Sequence, residues 1–188
     1  MYVLALALTS TLVGLSSNRF GDHLLDTLST NLHQLAHAPI RVLVASAFWL
    51  ENWSQLWLWA PLLLAVVAPV ERRLGSRRTV IAFAIGHIGA TLLVAAGLLI
   101  ALRLGAVSPL VEHARDVGAS YGFFAVAALA TYLLPRRLRL PYAGVLCGCV
   151  LAFAATSRTF TDFGHLTAVA LGLACYPLAR RPVAAASS

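Results

Sequence analysis

Apolar residues along the chain come in runs separated by short polar links, and that alternation predicts an all-α polytopic membrane protein. The runs cover about residues 1–16, 53–70, 79–102, 117–134, 140–156 and 160–178, six expected spans in all. Most approach the ~20 apolar residues that a helix needs to cross a bilayer, and the first is the shortest. That first run lacks the basic start and the clear A-x-A site of a cleaved signal peptide, so it reads as a span. Residues 17–52 have a different pattern. Leu24, Leu25, Leu28, Leu32 and Leu35 fall near helical spacing among Arg19, Asp22, His23, Asp26 and His33, which predicts an amphipathic helix lying in the membrane interface. Pro39 is expected to end that helix, and the apolar run 40–50 after it is too short to span.

Composition makes lipid the expected solvent. The 188 residues are 60% hydrophobic and 11% charged, with a mean hydropathy of +0.81. A soluble domain carries about 25% charged residues, and one of this length could not hide so much apolar surface. A single domain, 1–188, is expected. The net charge of +7 could suggest nucleic acid. However, all the basic residues are arginines placed in short clusters between apolar runs, the pattern that sets topology in membranes and not a nucleic-acid surface. Links after runs two, four and six hold nine arginines (Arg72, Arg73, Arg77, Arg78, Arg136, Arg137, Arg139, Arg180, Arg181). Links after runs one, three and five hold five (Arg19, Arg41, Arg103, Arg115, Arg158). The bias predicts that both termini are cytoplasmic and that the 17–52 link is outside. Cys147, Cys149 and Cys175 lie inside apolar runs and read as core residues. His23, His33 and His37 lack the carboxylate or cysteine that would complete a metal set, so no metal and no cofactor is expected.

Two stretches carry candidate chemistry. Ser120 opens the fourth run between Gly118 and Gly122, and His165 lies near the start of the sixth. At ~1.5 Å per residue, both sit ~5–8 Å below the same outer edge. A neutral imidazole can take the proton of a serine hydroxyl and make it a nucleophile, and a histidine inside a membrane segment is costly enough to suggest function. The plainer readings are a serine bonding the backbone one turn earlier and a histidine making an interhelical hydrogen bond. Small residues repeat every four positions: Gly118 and Gly122, Gly144 and Gly148, and Gly164, Ala168 and Gly172. Such spacing lets helices approach closely in lipid. Gly118-Ala-Ser120-Tyr-Gly122 also fits the G-x-S-x-G elbow of soluble hydrolases, but that elbow needs a strand that these runs do not provide. Asp162 is expected to cap the sixth span, and His87, deeper in the third, to make a helix contact.

In their order, spacing and depth these residues resemble the rhomboid family of six-span intramembrane serine proteases, over roughly residues 39–175. Val70-Glu-Arg-Arg-Leu-Gly75 is similar to the V-E-x-R-L-G that ends the second span of that family. Gly118-Ala-Ser120 resembles its G-x-S-G, and Gly164-His165 with Ala168 and Gly172 its A-H-x-x-G-x-x-x-G. The nearest likeness is to a divergent actinobacterial group of rhomboid-like proteins, which also suits the arginine-only composition. The resemblance implies a Ser120–His165 dyad that cleaves transmembrane segments of other proteins in a bacterial plasma membrane. It also implies Phe124 where a tyrosine stacks on the histidine, and Gln55 and Trp59 where the family has the H-x-x-x-N that helps hold the oxyanion. Tyr121 replaces the glycine after the serine. An alternative is a rhomboid-like protein without catalysis that binds or escorts membrane segments. A small transporter is disfavoured, because the spans offer almost no midplane polar residues besides His87.

Overall fold

A computed structural model describes residues 2–157 and 159–180, so Met1, Arg158 and Arg181, counted in the segments and links above, lie outside the described residues. The described residues are helical, with no strand among them. We number the helices α1 (Tyr2–Leu15), α2 (Asn18–Leu28), α3 (Leu32–His37), α4 (Pro39–Ala45), α5 (Trp53–Leu74), α6 (Ser76–Arg103), α7 (Ser120–Ala130), α8 (Arg136–Ser157), α9 (Phe160–Ala174) and α10 (Tyr176–Ala179). By length and composition α5, α6 and α8 can cross a membrane, while α1 and α7 are shorter apolar helices. Within α5, Pro61 withholds a backbone donor, and a π turn at Leu63–Val67 takes up the irregularity.

The centre of the molecule is α7, packed between α6 and α9. It is apolar on all sides, and Tyr121, Phe123 and Ala125 to Leu129 are buried, as expected of a helix enclosed by its neighbours. Glycines on the flanking helices make the room. A Cβ on Gly86 of α6 would meet the Ala125 Cβ at 2.1 Å, and one on Gly172 of α9 would meet the Ala125 carbonyl oxygen at 2.2 Å. Gly122 of α7 in turn seats the Phe83 ring, where a Cβ would come within 2.4 Å. Gly144 and Gly148 of α8 differ from the packing expectation, because nothing lies within 4 Å of a Cβ on either, so their face of α8 meets no neighbour among the described residues.

The 17–52 link also departs from expectation. One amphipathic helix does not run through it; α2 stops at Ser29 and α3 begins after Asn31. The break lies where short polar side chains compete for the backbone. Asn31 caps α3 by accepting from the Gln34 N–H at 2.8 Å. Ser29 and Thr30 turn toward the α6–α7 link instead: the Asp116 N–H donates to Ser29 Oγ at 2.8 Å, and the Thr30 N–H donates to the Asp116 carbonyl at 2.9 Å.

Long-range bonds sort the links to two ends. At one end Arg73 donates to the Leu133 carbonyl at 2.8 Å and Arg78 to that of Arg180 at 3.2 Å. At the other, Arg115 pairs with Asp26 at 2.7 Å and Asp22 at 3.2 Å, and the Gly118 N–H donates to the Ser46 carbonyl at 2.9 Å.

Candidate active site

The site is built at the opening of α7. Gly118 has φ +130°, a conformation that suits glycine, and it turns the chain from the link into the helix two residues before Ser120. Ser120 is the first residue of α7 and is half-buried. The first i→i−4 bond at this end runs from the Phe123 N–H to the Ala119 carbonyl at 2.8 Å. The N–H groups of Ser120, Tyr121 and Gly122 therefore open the helix and give it the partial positive charge of an N-terminus.

His165 faces this opening from α9. Its ring lies 4.8 Å from that of Phe124 and 5.4 Å, edge-on, from that of Tyr121. Ser120 and Phe124 are four residues apart and share a helix face, so the imidazole packs against Phe124, on the serine's face, and against Tyr121. His165 Nε2 is buried without a hydrogen-bond partner among the described residues, and no hydrogen bond joins it to Ser120. A buried imidazole nitrogen left without a partner is costly in apolar surroundings.

Tyr121 does not obstruct the serine. Its ring occupies a notch made by Gly164, where a Cβ would meet it at 2.3 Å, and its hydroxyl donates to Asp116 Oδ2 at 3.2 Å. Thr30 Oγ1 donates to the same carboxylate oxygen at 3.3 Å. Asp116 lies in the link outside the spans. Burial pushes its carboxyl up to about 6, against the opposing pull of the Tyr121 and Thr30 hydrogen bonds. The notch at Gly164 thus permits a large residue where the family resemblance has glycine.

Asp162 is the third residue of α9, and its Oδ2 reaches back to cap the helix. That atom accepts from the Thr159 N–H, Thr159 Oγ1 and Ser157 Oγ, each at 2.8 Å. Gln55 is turned toward Glu51, donating to its Oε2 at 3.4 Å. Trp59 packs edge-on against Phe123 with ring centroids 5.5 Å apart, inside the cluster that includes Leu6, Leu50 and Leu63. Neither makes a hydrogen bond to Ser120 or His165 among the described residues.

His87 makes a contact as expected, but its partner and that of His33 come from distant parts of the chain. His87 Nε2 and Ser46 Oγ are hydrogen-bonded at 3.1 Å, both residues buried, joining the 17–52 link to α6. The His33 ring lies tilted against that of His37 at 4.5 Å and against that of His113, of the α6–α7 link, at 5.1 Å. No group of three or more His, Cys, Asp or Glu among the described residues is arranged to hold a metal. The Ser46–His87 and His33–His113 pairings join residues far apart in the chain and leave no local pattern, whereas His33 and His37 lie four residues apart on α3.

A bundle of apolar helices around a short central one, with a serine and a histidine at its mouth, defines a helical membrane protein. The chain belongs to the rhomboid-like protein family, whose model matches residues 1–185. No curated protein and no solved structure matches it.

Proposed function

We propose that the protein is a rhomboid-like intramembrane serine endopeptidase that cleaves transmembrane segments of other membrane proteins. The observation that carries this reading is the His165 imidazole, with Nε2 unpartnered, packed against the rings of Tyr121 and Phe124 in the first turns after Ser120. In this mechanism His165 takes the proton of Ser120 Oγ, which attacks the peptide carbonyl, and then gives that proton to the leaving amine. The N–H groups that open α7 hold the oxyanion, with the Gln55 amide as a second donor once it leaves Glu51. Gly118 shapes the approach to Ser120. Phe124 and Tyr121 hold the imidazole plane, while Gly122, Gly164, Ala168 and Gly172 keep α6, α7 and α9 close. The reaction needs no cofactor. The proposed topology has six spans with both termini in the cytoplasm of a bacterial cell, the site near the outer face of the plasma membrane, and substrate entering sideways from the bilayer.

A second reading, a family member without catalysis that binds or escorts membrane segments, is favoured by the Gln55–Glu51 bond and by Trp59 packed on Phe123. A fluorophosphonate probe on the detergent-solubilised protein separates the two. Labelling of the wild type that is lost in Ser120→Ala and in His165→Ala supports the peptidase. A folded wild type that takes no label, or a Ser120→Ala variant that labels as well as wild type, rejects it.

A further inference from the structure

At the arginine-rich end, the start of α6 and the ends of α5, α7 and α10 enclose a cavity of about 510 Å³. Its lining includes Arg72, Arg73, Arg78, Tyr132 and Leu133 but no carboxylate. The size falls within the ~300–1,000 Å³ of ligand pockets. Two of the arginines are fixed at its wall by backbone carbonyls. Arg73 donates to Leu133 at 2.8 Å, and Arg78 donates to Leu178 at 3.4 Å and Arg180 at 3.2 Å, each through Nη1 alone. Their remaining N–H groups are available, and Arg72 makes no hydrogen bond or ion pair among the described residues. The one carboxylate in this part of the chain, Glu71, accepts from Ser76 Oγ at 2.6 Å and does not line the cavity. Three arginines that line one cavity without a carboxylate among its walls call for an anion, and a planar fork suits phosphate oxygens.

A second feature says what the anion is attached to. A groove of about 180 Å³ runs from the same place along α5, and the two share Arg73 and Leu133. Its walls are apolar: Ala65, Val66, Pro69 and Val70 on one side and Leu134 and Tyr142 on the other. The Tyr142 hydroxyl is spent on the Ala127 carbonyl at 2.9 Å, so the tyrosine brings no free donor into the groove. A charged cavity continuous with an apolar groove on a membrane-crossing helix has the shape of a phospholipid, headgroup first.

We propose that this pair of cavities binds one anionic phospholipid, its phosphate on Arg72, Arg73 and Arg78 and an acyl chain in the groove along α5. In the topology proposed above the site faces the cytoplasmic leaflet, which carries anionic lipid.

The test uses the full chain, delipidated in detergent, with binding read by native mass spectrometry. The probes are dioleoylphosphatidylglycerol, dioleoylphosphatidylcholine, glycerol 3-phosphate and inorganic phosphate. Wild type is expected to take one phosphatidylglycerol tightly and phosphatidylcholine weakly. Arg72→Gln with Arg73→Gln is expected to weaken phosphatidylglycerol about tenfold to thirtyfold, since each arginine near a headgroup is worth a factor of about five. Arg136→Gln with Arg137→Gln removes the same charge outside the cavity and is expected to change binding less than about twofold. Ala65→Trp, at an exposed position, fills the groove and is expected to weaken phosphatidylglycerol while leaving the cavity arginines intact. Equal retention of the two lipids, or equal loss in both arginine pairs, overturns the proposal. Glycerol 3-phosphate or inorganic phosphate binding as tightly as phosphatidylglycerol overturns it in favour of a soluble anion.

Discussion

Asp116 is a carboxyl buried against two hydroxyls, and its titration near pH 6 has a consequence for stability. In the unfolded chain it ionises near its ordinary value of 3.8, while in the folded protein it keeps its proton to about 6. Between those values the folded state binds the extra proton, so this group's contribution favours folding below pH 4 and is lost as the pH rises through 6. Asp116→Asn is expected to flatten the fall in unfolding temperature between pH 4 and pH 7, measured in detergent by intrinsic fluorescence. Glycines give a sharper contrast. Gly172→Val drives a side chain into the Ala125 backbone, which cannot yield, and is expected to cost about 3 kcal/mol or more. At Gly144 a Cβ has nothing within 4 Å, and Gly144→Val is expected to leave the same unfolding measurement nearly unchanged. Sequence spacing treats these glycines alike, because a four-residue repeat records a face and not what the face meets. Nor could it show that Tyr121 turns into the Gly164 notch, since rotation about the helix axis is set by packing.

At the scale of elements, the helical character of the chain was legible and the break inside the link between the first two runs was not. Leucine spacing favoured one helix over residues that the structure divides at Ser29 and Thr30, because those hydroxyls satisfy Asp116 from across the fold. The capping of α9 could be read in part: Asp162 was expected as a cap, and three donors converge on its carboxylate from the preceding turn. Ser46 ties the link to two elements, through its hydroxyl to His87 of α6 and through its carbonyl to Gly118 ahead of α7. Ser46→Ala strands a buried imidazole nitrogen and is expected to cost ~1–3 kcal/mol in unfolding. Ser46→Ala combined with His87→Leu is expected to cost less than the sum of the two singles, because the double variant leaves no orphaned partner.

At the scale of the molecule, composition alone pointed to lipid, and the helical bundle and family membership agree with that reading. The links richest in arginine gather at one end in the structure, and Asp116, Arg115 and the mouth of α7 lie at the other. The proposed topology is checked in a background with Cys147, Cys149 and Cys175 replaced by alanine. A membrane-impermeant maleimide is expected to label Ala106→Cys in intact spheroplasts and Arg77→Cys only after permeabilisation. The reverse pattern would invert the molecule.

The glycine seats on either side of α7 also bear on how the protein can be handled. At ~1.5 Å per residue its eleven residues span only ~16 Å, and most of its surface is spent on protein neighbours. Solvent exchange from bilayer to micelle therefore acts first on the outward faces of α1, α5 and α8, where Leu4, Leu64, Val145 and Phe153 are exposed. The centre is insulated from the medium by its own flanking helices. Packing of Ala125 to Leu129 measured in a micelle thus reports on nearly the same surroundings that this stretch has in a bilayer.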